Sequence, residues 1–105
     1  MRGHVAFLAG VILLVAGPLW AQEAGDPRGG YVVARQTCSV CHAIEKGRAR
    51  SANAGAPTFA AIAAVPGMTA AALLASLQTS HRTMPNLILP PEELRDVVAY
   101  ILSLQ

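Results

Sequence analysis

Cys38-Ser39-Val40-Cys41-His42 sets two thiols three positions apart, with an imidazole directly behind the second. Thiols at this spacing share one helical turn, and C-x-x-C-H is the pattern of c-type haem attachment. Cys38 and Cys41 can each add across a haem vinyl group to give a thioether. His42 is then set against the iron as its proximal ligand. Two other chemistries draw on the same residue types. A redox dithiol also reads C-x-x-C, but it sits beside a βαβ pattern, and no strand pattern appears in this chain. A structural zinc site needs four ligands, and with two cysteines in all the chain has no second pair to close one.

A second axial donor has to come from further along. Met84 lies in the polar stretch Thr79-Ser80-His81-Arg82-Thr83-Met84-Pro85-Asn86, where Pro85 biases it away from the helical region. A thioether on such a loop has little to pack against. As sixth ligand it has a purpose, because a soft sulfur stabilises reduced iron and raises the potential. Met1 falls in the leader described below, Met68 suits packing at a helix entrance, and His81 fits better facing solvent or a propionate. Pro57, in Gly55-Ala56-Pro57, has no N–H but keeps its carbonyl. It reads either as a plain turn proline or as the acceptor for the Nδ1–H of His42, since a metal-bound histidine commonly donates its other nitrogen. Lys46, Arg48 and Arg50 follow the motif in a loop over residues 43–54. A run of this kind is usually a solvated face, although it could also meet a propionate or steer an acidic partner.

The chain of 105 residues has room for one small domain. Met1-Arg2-Gly3-His4, the apolar run Val5 to Ala16, the break at Gly17-Pro18 and the small Ala21 read as a secretory signal peptide over residues 1–21. The alternative is a retained membrane anchor, at the low edge of spanning length and shortened by Pro18. Export places the protein in the periplasm. Cleavage would leave residues 22–105 with seven Lys/Arg against six Asp/Glu and no Trp. That balance is no nucleic-acid footprint, for the basic residues form no dense stripe. So small a domain builds little core of its own and needs a staple. A porphyrin slab would be cofactor and core together.

Asp26 is placed to cap a helix beginning at Pro27 and running to about Cys41, with Gly30, Ala34, Cys38 and Cys41 on one face. Small residues there let another helix approach closely. A short apolar segment spans Phe59 to Val65, and Thr69 suits the N-cap of a helix over Ala70 to Gln78. Pro90-Pro91-Glu92-Glu93 opens the last helix with prolines and acid in its first turn. Leu94, Val97, Val98, Ile101 and Leu104 then form an apolar stripe with Tyr100 beside it, and the Gly30/Ala34 face is its natural partner.

The matching elements are Gly30-x-x-x-Ala34-x-x-x-Cys38-x-x-Cys41-His42, Gly55-x-Pro57, Thr83-Met84-Pro85 and Asp96-Val97-Val98-Ala99-Tyr100-Ile101-Leu102. In that order, along nearly all of residues 22–105, they resemble a small monohaem class I cytochrome c of bacteria. The resemblance implies an all-α cytochrome c fold, three to five helices wrapped around one covalent haem c, with terminal helices crossing near Gly30 and Tyr100. It also implies Pro57 as partner of His42, and His42 and Met84 as the iron's two axial ligands. Ala34 stands where mitochondrial-type members carry an aromatic residue. The function implied is electron transfer rather than an enzyme's turnover, by a monomer meeting a dehydrogenase, oxidase or reductase as redox partner. Alternatives are a haem subunit of such a complex, or a small-ligand sensor with a labile sixth ligand.

Overall fold

The computed structural model describes residues 24–79, 81 and 83–105; the leader expected over residues 1–21 lies outside them. The first helix, α1 (Pro27–Val33), starts as its sequence dictates. The Asp26 carboxylate accepts from Arg28 N at 3.0 Å, and Pro27 fills the first turn, where no N–H partner is needed. Asp26 N in turn donates to Asp96 Oδ1 at 2.7 Å, tying the helix entrance to the other end of the chain.

α1 does not continue as one α-helix to Cys41. From Ala34 to Cys38 it widens into a π turn, closed by Ser39 N donating to Ala34 O at 2.9 Å. The wider turn still keeps Ala34 and Cys38 buried beside Gly30, while Cys41 lies beyond the helix and is half-buried. A single π turn of this kind recurs at functional sites.

Residues 43–56 form no regular element. The apolar segment after Pro57 is a short helix, α2 (Phe59–Ala63), capped by Thr58, whose hydroxyl accepts from Ala61 N at 3.1 Å. α3 (Ala70–Leu77) is capped by Thr69 in the same way, through Ala72 N at 3.2 Å. α4 (Pro91–Leu102) carries Glu92 and Glu93 in its first turn. The described residues contain no strand, so the fold is all-α.

One apolar cluster joins the four helices through Ala34, Phe59, Leu73, Val97, Val98 and Ile101. The predicted stripe of α4 supplies its centre: Val97 and Ile101 are the largest side chains fully enclosed, and Leu104 packs at its margin. α1 crosses α4 at Gly30, where an added Cβ would stand 1.9 Å from the Asp96 carbonyl oxygen and 2.8 Å from Tyr100 Cβ. Only a glycine permits that approach. Beside it, Tyr31 meets Tyr100 edge-on, with ring centroids 5.5 Å apart. Among the described residues no helix is long and apolar enough to cross a membrane.

Candidate functional site

The π turn of α1 delivers Cys38 to the interior, 8% exposed, and the chain then curls around its carbonyl. Cys41 N and His42 N both donate to Cys38 O, at 3.1 and 2.9 Å. Both thiols are free. Burial pushes the Cys38 thiol up from its ordinary range.

The following loop straps this turn in place. Ala43 N donates to Ser51 Oγ at 3.0 Å, Asn53 N to Cys41 O at 3.0 Å, and Phe59 N to Ala43 O at 2.9 Å. These bonds bring Pro57 back to the motif, and His42 Nδ1 lies 2.6 Å from Pro57 O. A carbonyl only accepts, so Nδ1 is the donor here and Nε2 is the ring nitrogen left open for a metal. The Phe59 ring packs against the imidazole at 5.5 Å and 53°. The ring is thus held by a hydrogen bond on one atom and an aromatic face beside it.

Two features of this region escaped sequence reasoning. Ile44, isolated in a polar loop, is buried, and its carbonyl accepts from Tyr100 OH at 2.7 Å. Tyr31 OH donates to Glu45 Oε1 at 3.0 Å, linking α1 to the loop behind the motif. The signal for both was their place directly after His42, where a loop must be anchored to hold the imidazole.

The remaining candidates are more peripheral. Met84 is half-buried in the bent stretch between α3 and α4, whereas Met68 packs against the apolar cluster. His81 is exposed. Lys46, Arg48 and Arg50 are exposed too, with Arg48 Nη2 3.9 Å from Glu45 Oε2, and Arg50 stands on the wall of an open cleft beside Pro57.

A haem of c type asks for two free thiols on one turn and an imidazole with one nitrogen committed and the other open. Cys38, Cys41 and His42 meet that requirement in chemistry and arrangement. An all-α domain wrapped around such a donor set defines a small c-type cytochrome. The family described as "Cytochrome C oxidase, cbb3-type, subunit III" matches residues 25–101, and the chain belongs to it. Its cytochrome c domain is built for electron transfer by haem iron. No curated protein and no solved structure matches the chain.

Proposed function

We propose that residues 22–105, freed of the leader 1–21, act in the periplasm as a one-haem electron carrier of class I type. Cys38 and Cys41 hold the haem c through thioethers, His42 is the proximal ligand and Met84 the distal one. When bound, the haem supplies a one-electron cycle between ferrous and ferric iron. The chain's part is to hold that centre rigid. The observation that carries the reading is the His42 Nδ1–Pro57 O contact at 2.6 Å, which orients Nε2 outward and raises the basicity of the ring.

His42 and Met84 would both be engaged in holding the iron, which would suit a carrier that cycles electrons rather than an enzyme that binds a substrate. Its partners are redox proteins: a dehydrogenase as donor, an oxidase or reductase as acceptor. A net charge of only +1 over residues 22–105 gives modest steering and weak salt dependence to those encounters. Membership of an oxidase-subunit family favours a second reading of the same site, in which the domain is the haem subunit of an oxidase complex rather than a free monomer.

The test is the visible spectrum of the haem-matured, reduced protein before and after carbon monoxide. A low-spin spectrum unmoved by the gas is expected, together with a Met84→Ala variant that binds it at once. A wild-type spectrum that shifts fully and fast would overturn Met84 as a firm ligand and put a ligand sensor in its place. Intact mass decides cleavage after Ala21, and copurification with a membrane oxidase separates subunit from carrier.

A further inference from the structure

Three consecutive residues behind Cys41 are each bonded to a different residue further along the chain. His42 Nδ1 donates to Pro57 O at 2.6 Å, Ala43 O accepts from Phe59 N at 2.9 Å, and Ile44 O accepts from Tyr100 OH at 2.7 Å. The rings these bonds gather also meet one another. Tyr100 and Phe59 stand 6.3 Å apart at 52°, and Phe59 stands 5.5 Å from the His42 imidazole at 53°. Phe59 is 4% exposed, so its ring has no solvent to turn into.

The Pro57 bond alone does not fix the plane of the imidazole. A carbonyl oxygen accepts over a broad range of directions, so the ring can tilt about that contact without losing it. The torsion that carries the ring is broad as well, with no sharp staggered well to hold it. The accepting carbonyl is backbone, which any residue at position 57 would supply. What selects one plane is the side chain the ring packs against, and that side chain is Phe59. Phe59 is itself held twice, by its N–H on Ala43 O and by the ring of Tyr100, which Ile44 O fastens in turn.

We propose that Phe59 is the positioning residue that sets the plane of the His42 imidazole toward the iron, with Tyr100 holding Phe59 in place. This rests on the haem reading above and deepens it. In low-spin ferric iron the plane of an axial imidazole, together with the distal ligand, selects the iron orbital that shares the unpaired electron with the macrocycle. That selection decides how spin is spread around the porphyrin, and so how its edge couples to a redox partner. Pro57 governs the basicity of the ligand, and Phe59 governs its direction.

The experiment uses the haem-matured protein, whose covalent haem is first counted by its pyridine haemochrome. Absence of haem at that stage would sink the functional reading, and this inference with it. The oxidised protein is then studied by proton NMR, where the four haem ring-methyl resonances report the spread of spin. Phe59→Met fills the space with a flexible unbranched side chain but offers no ring. It is expected to respace the four resonances with the haem count unchanged. Phe59→Tyr puts a ring back and is expected to return the wild-type order. Asp26→Ala loosens the domain at the entrance of α1, where its contacts are Arg28 and Asp96, and is expected to leave the resonances in place. Unchanged spacing in Phe59→Met, no recovery in Phe59→Tyr, or equal respacing in Asp26→Ala overturns the positioning role. If Phe59→Met gives no folded holoprotein, the wild type decides. Overhauser contacts between the Phe59 and His42 ring protons are expected there, and their absence overturns the proposal.

Discussion

Tyr100, on the last helix, donates its hydroxyl hydrogen at 2.7 Å to the carbonyl of Ile44, two residues beyond His42. The C-terminal helix is therefore anchored to the haem motif through a side chain as well as through the Gly30 crossing. Loop residues 43–56 are otherwise tied to the domain by Tyr31 OH to Glu45 Oε1, Asn53 N to Cys41 O and Phe59 N to Ala43 O. The bond converts α4 from a lid over α1 into a brace for the imidazole.

Removing that brace has a definite cost. Tyr100→Phe retains the ring against Tyr31 and Phe59 but leaves the Ile44 carbonyl without its partner. A buried acceptor so abandoned costs about 1–3 kcal/mol. Urea unfolding of the holoprotein should show a lower midpoint with an unchanged slope. An unchanged midpoint would mean that water replaces the phenol freely.

The same phenol sets an alkaline limit. Desolvation first, then the neighbouring Tyr31 and Glu45, raise the Tyr100 pKa above the ordinary phenol value. Folding thus holds the phenolic proton more tightly than the unfolded chain does. The stability this contributes is fully present below about pH 10, the unfolded value, and is lost as pH rises through the higher folded one. Thermal midpoints should fall above pH 10 in the wild type, and the fall should be shallower in Tyr100→Phe. Parallel curves would place the alkaline transition in another group.

Gly30 and Gly47 separate close approach from backbone freedom. Gly30→Ala drives a methyl to 1.9 Å from the Asp96 carbonyl, a backbone atom that cannot swing aside. The helices must part, at about 3 kcal/mol or more, the upper end of overpacking. Gly47 has φ +86° with nothing within 4 Å, so Gly47→Ala meets strain alone, about 1 kcal/mol. Thermal denaturation of the two variants should rank them in that order, and equal midpoints would contradict the crossing geometry.

Sequence patterning carried the ends of this fold well. Asp26 and Thr69 cap where their side chains and the following residues required, and the α4 stripe faces the cluster it was expected to meet. The π turn was not legible, because no residue type encodes an i to i−5 bond, although Ala34 and Cys38, which it buries, were both expected on the inner face. α2 is only five residues long, too short for a periodic signal, and the Thr58 cap before it was not read from the sequence. Ile44 showed no period at all, being one apolar residue among polar ones. At the site, the residue types of Cys38, Cys41 and His42 were readable outright, as was the capacity of Pro57 to accept. The aromatic string from His42 to Tyr31 was not, because its members are separated in sequence and meet only when α1 crosses α4.

The two cysteines also differ in what their loss should do. Cys38 is 8% exposed within the core cluster, while Cys41 is half-buried beyond the helix end. Cys38→Ala removes a sulfur from packed surroundings as well as a thioether, adding about 1 kcal/mol of lost packing. Cys41→Ala removes its thioether with little packing loss. If both thiols are bonded to the haem, either single variant still retains the pigment in the protein fraction after acid–acetone extraction, and only the double variant releases it. Among the two singles, the urea midpoint should be lower for Cys38→Ala. A single variant that releases all its haem would show that only the replaced cysteine had been bonded, and the paired attachment would fail.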